Sequence, residues 1–424
     1  MPRLHALILV FLGLSLTEAT RAGEITTQED LRVAVTTGLA LIQKAAANYP
    51  THRECFSCHH QTLPMLALTV ARTAAVPTDA ALLPSQADFT LDSFADKRAE
   101  MEKGKGVGGG AMTVGYALWA LDLAGKPADK TTEAMVKFLL KTQQPDGRWS
   151  TGNRPPLEES VLSCTVIAAS GIRRYATSDL KNDVETAIAR AKEWFAKAPI
   201  KVQEDRTFKL RGLTMFDGDP KAVRDAANSA AGTQHDDGGW SSRDDLPSDA
   251  YATGQTLAAL RLAGIRADDP IYRRGVGFLL KTRHGDGSWK VETRSKPIQV
   301  FFDNGDPHGK HQFISTPATC WAVVALALAL TDDPAAVGAA EKPFDLLIRG
   351  GRIVVGRIAD GAGATRVIDA RGLVSSERNL IVLQRPFLHI SHARGNDPVK
   401  DHLRIVNGPQ VLLQKRVVIP DTLP

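Results

Sequence analysis

Several things are scarce in this chain, and each scarcity removes a class of function. Only four cysteines occur in 424 residues, Cys55, Cys58, Cys164 and Cys320. That is too few for a disulfide-rich secreted scaffold. Aromatic residues are also few, with six Trp and five Tyr. A cavity that stabilises carbocations needs many aromatic faces, so this count weighs against such chemistry. There is no run of five or six like charges. Lys and Arg alternate with Asp and Glu along the chain, and a net charge of +5 spread in this way does not point to nucleic acid. Beyond the N-terminus the sequence shows no stretch of the ~18 apolar residues expected of a membrane span. The most apolar segment, Ala322 to Leu330, ends at Asp332-Asp333.

What is present begins with an export signal. Arg3 and His5 precede an apolar core from Ala6 to Leu16, which is too short to span a bilayer. Thr20-Arg21-Ala22 then places small residues at −3 and −1 of a cleavage site before Gly23. The expectation is a signal peptide over residues 1–22, with an uncleaved anchor as the alternative, and a mature protein that is periplasmic or secreted.

Internal repetition dominates the next three hundred residues. Gln143-Gln-Pro-Asp146-Gly147-Arg-Trp149, Gln234-His-Asp-Asp237-Gly238-Gly-Trp240 and Arg283-His-Gly-Asp286-Gly287-Ser-Trp289 align, the last with Arg in place of the leading Gln. Their spacing fits a unit of about 45 to 50 residues with one degenerate copy. Asp-Gly is turn chemistry, because Gly accepts positive φ and Asp bonds nearby backbone amides. Trp supplies an apolar face to seal neighbouring hairpins. A more polar helix precedes each motif and one apolar on most faces follows it, which reads as outer and inner helices respectively. Six outer–inner pairs are expected near 30–74, 88–125, 130–174, 181–217, 219–264 and 269–330. The fourth is the weakest, with a short, polar inner helix around Thr207 to Phe216.

These motifs resemble the repeats of the superfamily of terpene cyclases, squalene–hopene cyclases and protein prenyltransferase β subunits. The resemblance covers residues 30–332 and implies an all-α fold, an (α/α)6 toroid. It also implies a structural role for Gln143, Trp149, Gln234, Trp240 and Trp289. The Asp-x-Asp-Asp run that carries the proton-donating acid of the cyclases is absent. The nearest candidate is Asp249, just before an inner helix, where it is either a cavity acid or a helix N-cap. Glu158 and Glu159 open another inner helix, and either a cavity position or interaction with the helix dipole would explain them. In the prenyltransferases an Asp two positions before a Cys helps to hold zinc. Here Ala318 occupies that place, leaving a zinc site of Cys320, His308 and His311 as one alternative and a buried small side chain at Cys320 as the other.

Cys55-Phe-Ser-Cys58-His59-His60 carries the attachment pattern of c-type haem, in which two thiols add to porphyrin vinyl groups and the next His ligates iron. The segment also resembles short cytochrome-c-like boxes attached to bacterial repeat proteins. Cys55, Cys58 and His59 are thus candidate haem ligands, with Met65, Met101 and Met112 as candidates for the far side of the iron. A disulfide, or zinc held with His59 and His60, remains open.

After Asp332 the character changes. Pro343-Phe-Asp-Leu-Leu-Ile-Arg-Gly-Gly-Arg-Ile-Val354 and Gly363-Ala-Thr-Arg-Val-Ile-Asp-Ala-Arg-Gly-Leu-Val374 resemble the N-terminal β segment of amidohydrolases such as D-aminoacylases. The metal-binding His-x-His does not follow, since His389 and His392 are spaced differently. Residues 343–374 are therefore expected as a β-hairpin remnant and 375–424 as an irregular tail, the product of a truncated fusion. The combined expectation is an exported toroid that binds a hydrophobic small molecule or a protein in its central cavity, possessing haem c or zinc. An isoprenoid-protonating cyclase is the rival reading, and an amidohydrolase-linked role a weaker one.

Overall fold

The structure is a computed structural model that describes residues 26–331, except 153, 217, 298 and 299, together with the backbone of four short strands beyond them. Residues 1–22, read above as a signal peptide, lie outside the described residues.

Thirteen α-helices occur among the described residues. They are α1 Gln28–Asn48, α2 Leu63–Thr73, α3 Leu82–Ala95, α4 Arg98–Met101, α5 Gly110–Leu123, α6 Lys130–Thr142, α7 Val161–Tyr175, α8 Lys181–Lys197, α9 Gln203–Met215, α10 Pro220–Ala231, α11 Ala250–Leu262, α12 Pro270–Thr282 and α13 Gln312–Ala329. Many starts are fixed by local chemistry. Thr27 and Asp129 form capping boxes, and Asp219-Pro220 and Asp269-Pro270 place a side-chain acceptor before a proline whose missing N–H costs nothing there.

The expected six pairs are all present. Helices α2, α5, α7, α9, α11 and α13 pack each against the next, and α13 packs back on α2, so the inner ring closes. Around it run α1, α3, α6, α10 and α12, each against its inner partner, and α8, which packs mainly on α7 and is tied to α9 by Lys209 donating to the Phe195 carbonyl. The chain is an (α/α)6 toroid. Inner helices carry the larger buried share, and α13 is buried at nearly every position from Ile314 to Leu328. Close approach within the ring needs small residues. A Cβ on Gly254 of α11 would lie 2.5 Å from the Trp321 carbonyl carbon of α13, so no side chain fits there.

Contrary to the sequence expectation, the segment Gly309–Ala329 is long and apolar enough to cross a membrane by length and composition. In the ring 89% of its most apolar window is buried, the pattern of a core helix. Helix α13 also begins earlier than expected, at Gln312, and accommodates Pro317 within it.

The Trp turns repeat one hydrogen-bond scheme. Each indole N–H donates over 2.8 Å to a carbonyl near the end of its own outer helix, from Trp149 to Leu139, from Trp240 to Ala230 and from Trp289 to Leu279. Each Trp backbone N–H donates to a Thr hydroxyl of the inner helix, Thr165 and Thr253 about one turn in and Thr319 about two. The Gln side chain reaches the next outer helix, from Gln143 to Ala187 O at 2.8 Å and from Gln234 to Ile271 O at 2.9 Å. Where Arg283 replaces it, the guanidinium donates to Thr37 of α1 at 3.0 Å, across the seam that closes the ring. The turn glycines take φ values of 98°, 88° and 87°, as the Asp-Gly pattern requires.

Beyond the toroid, Leu346–Arg349 pairs antiparallel with Arg352–Val355, inside the segment that resembles an amidohydrolase. A second antiparallel pair, Asp401–Asn407 with Gln410–Val417, lies in the stretch read as an irregular tail. His389 and His392 lie outside the described residues.

Candidate active site: the axial layer and the rim

Helix α9 places Glu204, Thr207, Phe208 and Arg211 at i, i+3, i+4 and i+7, which is one helix face. That face looks across the ring. The Arg211 guanidinium carbon stands 4.3 Å over the ring of Trp119, which belongs to α5 on the far side of α7. The same guanidinium is 5.8 Å from the Phe208 ring. Tyr251 of α11 donates its hydroxyl proton to Glu204 Oε2 at 2.9 Å. Thr207 donates to Gln255 Oε1 at 3.0 Å. Together these side chains form a layer across the axis.

This layer is not fully satisfied. Glu204 Oε1, Gln255 Nε2 and Trp321 Nε1 are buried and have no hydrogen-bond partner. Burial pushes the Glu204 carboxyl up to about 8, against the lowering effect of Ser163 and Tyr251, so it is largely protonated at neutral pH. Burial likewise holds the Tyr116 and Tyr251 phenols well above their usual range.

Cavities flank the layer on both sides. Toward the Trp turns, one of about 10 Å³ touches Glu159, Glu204, Ser242, Tyr251 and Gln255. On the opposite side lie one of about 50 Å³, reached past Leu262, and one of about 80 Å³ between Trp119, Arg174 and Arg211. Ligand pockets for drug-sized molecules run to several hundred Å³. The axis is therefore filled by side chains rather than hollow.

Asp249 is the N-cap of α11. Its carboxylate accepts from Ala252 N at 2.8 Å and from Ser242 Oγ at 2.9 Å, which settles its local role as a cap. Glu158 and Glu159 do not open α7, whose N-cap is Ser160. Glu158 is buried and paired with Arg154, and Glu159 lies 3.5 Å from Arg294. Only Glu159 of the pair reaches the cavity beside Glu204.

The Cys-x-x-Cys-His segment lies at the rim, in one turn of π-helix over Cys58–Thr62 that leads into α2. Its four key side chains diverge. Cys55 is exposed, its sulfur 3.7 Å from the Tyr49 hydroxyl. Cys58 is buried, and burial pushes its thiol well up. His59 lines a rim cavity of about 60 Å³ with Arg154, Pro156, Lys296, Lys310 and Phe313. His60 is stacked on Tyr49 at 4.6 Å between centroids and bonded to Asn304 Nδ2 at 2.6 Å and Ser57 Oγ at 3.1 Å. Desolvation holds both imidazoles down at about 3, so both are neutral at physiological pH.

These residues meet haem in chemistry and miss it in space. A neutral imidazole is what iron takes, and Arg154, Lys296 and Lys310 complement propionates. A porphyrin, however, does not enter about 60 Å³, and one thiol faces inward while the other faces out. Of the far-side candidates, Met65, Met101 and Met112 are all buried in the core. The four cysteines are free, so Cys55 and Cys58 form no disulfide.

Cys320, His308 and His311 are not brought together as a zinc site. Cys320 is buried in α13, His308 contacts Ser288 Oγ at 2.8 Å, and His311 Nδ1 accepts from Thr293 N. Among the described residues no three His, Cys, Asp or Glu side chains cluster in a way that would hold a metal ion.

Sequence reasoning missed Glu204, Arg211, Tyr251 and Gln255. For Glu204 and Arg211 the available signal was the unusual polarity of the fourth inner helix. It reads as weak amphipathicity until the ring shows that the polar face points inward.

The fold and its turns define a squalene-cyclase-like α/α toroid. No protein-family model matches the chain. Among curated proteins it is similar to the squalene–hopene cyclase of Bradyrhizobium diazoefficiens, 32% identical over 116 residues, which is 27% of this chain and 16% of that protein. It is also similar to a probable squalene–hopene cyclase of Sinorhizobium fredii, 34% identical over 107 residues, 25% of this chain and 15% of the other. The chain thus matches about one sixth of the length of these relatives. Among solved structures, the type II terpene cyclase MstE from Scytonema aligns with 14% identity and a TM-score of 0.45, over 72% of this chain and 99% of that one. A possible member of the GH105 family from Salmonella enterica aligns with the same identity and score, over 73% and 95%. The toroid assignment rests on the helix contacts of this chain itself.

Proposed function

We propose that this chain is an exported toroid that binds a ligand at its axis and does not cyclise isoprenoids. The observation that carries the reading is Arg211 over Trp119. A permanent guanidinium occupies the aromatic face that a carbocation would need, and like charge in a desolvated interior is strongly unfavourable. The employment of Asp249 as a cap and the small size of the axial cavities support the same reading. The test is incubation of the full chain with squalene, followed by product analysis. No cyclised product is expected, whereas cyclisation abolished by Asp249→Asn or Glu204→Gln overturns the proposal.

A second reading, proton donation to an isoprenoid, is favoured by one observation. Glu204 is a buried acid that keeps its proton near neutrality and has one oxygen without a partner. The squalene experiment decides between the two.

The proposal extends to covalent haem on Cys55, Cys58 and His59. Its support is the order of the three residues and the neutral His59. The buried Cys58 and the rim cavity of about 60 Å³ weigh against it. After expression with c-type maturation, a Soret band that survives denaturation and is lost in Cys55→Ser/Cys58→Ser is the expected result. A colourless protein sinks this part alone.

A further inference from the structure

We infer that the cavity on the side of the axial layer away from the Trp turns is a binding site for an uncharged aliphatic carbonyl compound, a ketone or an ester, whose oxygen accepts from the Trp321 indole and whose chain leaves past Leu262. This deepens the ligand-binding reading above and rests on it.

The polar part of the wall fixes the head-group. Trp321 lines the cavity and is 3% exposed, and its indole N–H has no acceptor among the described residues. An indole nitrogen only donates, so whatever satisfies it brings an acceptor. The other polar side chains of the wall are engaged elsewhere. The Arg211 guanidinium lies 4.3 Å over the Trp119 ring and already has its interactions. The Gln255 oxygen accepts from Thr207, and its amide lies beside the Glu204 carboxyl, whose charged form it favours. Thr214 donates to the Arg211 carbonyl at 2.7 Å. The wall therefore presents a lone neutral donor and calls for no counter-ion. A carbonyl oxygen answers it without bringing a donor of its own that needs satisfying. Water is a poor alternative, because a buried water needs about two to four polar partners and this wall offers it a single free donor.

The remaining wall specifies the rest of the molecule. Leu210, Ala258, Ala259, Leu262 and Ala263 are apolar, and Leu262 is 43% exposed at the surface end. The cavity of about 50 Å³ takes the carbonyl and its first carbons. A chain running out over Leu262 covers apolar surface that is otherwise wet. A carboxylate in the same place would give up its hydration for a lone neutral donor, which is unfavourable.

The experiment uses the full chain and two probes of equal length, 2-decanone and decanoate, each competing with the neutral fluorophore N-phenyl-1-naphthylamine. The ketone is expected to displace the fluorophore at concentrations about tenfold lower than the acid. Trp321→Phe is expected to weaken the ketone about threefold or more and to leave the acid unchanged. Far-UV circular dichroism verifies that the variant keeps its ring. A second measurement needs no variant: the infrared stretch of a carbon-13-labelled ketone carbonyl is expected to move to lower wavenumber on binding, as a carbonyl accepting a hydrogen bond does. Displacement by decanoate at equal or lower concentrations overturns the carbonyl assignment while the binding reading stands. A bound ketone whose carbonyl stretch does not move overturns it in the same way. Failure of the fluorophore and both probes to bind overturns this inference together with the reading beneath it.

Discussion

The Trp turns and the axial layer are both built from buried polar groups, and they treat them in opposite ways. In the turns the indole and backbone N–H of each Trp have acceptors, and the same geometry recurs three times to within 0.4 Å at corresponding bonds. In the layer an acid, an amide and an indole each keep an atom without a partner. Satisfied polar groups specify a structure, whereas unsatisfied ones raise its energy and await something that satisfies them. The difference separates what repeats in this toroid from what occurs once.

The contrast can be broken most severely at the turns. Trp240→Ala is expected to lose about 3–5 kcal/mol, from a large buried side chain and an indole hydrogen bond, read as a fall in the denaturant midpoint. A loss under about 1 kcal/mol would show that the turns are not the structural joints they resemble.

The pH dependence should reveal the layer and the rim together. Glu204 has a folded-state pKa of about 8 against an ordinary 4.5, so the native state binds the extra proton and stability falls as pH rises between those values. His60, at about 3 against 6.5, acts in the other sense, and stability falls as pH drops below 6.5. Glu204→Gln is expected to stabilise the protein by up to a few kcal/mol at pH 8 and by almost nothing at pH 4. A pH-independent difference between the two proteins would refute a neutral acid on the axis.

Smaller effects sharpen the comparison. Gln234→Ala removes two hydrogen bonds to backbone carbonyls and should cost about 1–2 kcal/mol. Asp249→Asn keeps a competent cap and should shift stability by about 0.5 kcal/mol or less, which calorimetry would register as a change of a degree or two.

The sequence made the repeating part legible and hid the singular part, for a physical reason. Trp149, Trp240 and Trp289 announce themselves because one local problem, joining an outer helix to an inner one, has one solution written three times. Asp249 was ambiguous because the first position of an inner helix is both a capping site and a rim of the interior. Glu204 and Arg211 were invisible because a polar face turned to a ring axis has the same 3.6-residue period as one turned to water. The divergence of Cys55 from Cys58 follows from the π-turn at Cys58, which local pattern does not signal.

The seam between first and last helices has a consequence for assembly. Arg283 reaches Thr37 across 246 residues of chain, and α13 packs against both α1 and α2. Until that final helix has emerged, the earlier pairs can stack only as an open crescent with its first helices bare. Closure then joins segments far apart in sequence and carries a loop-entropy cost that the earlier pairings do not. A chain cut short before Gln312 would remain an unclosed arc, exposing the apolar flank that its last helix exists to cover.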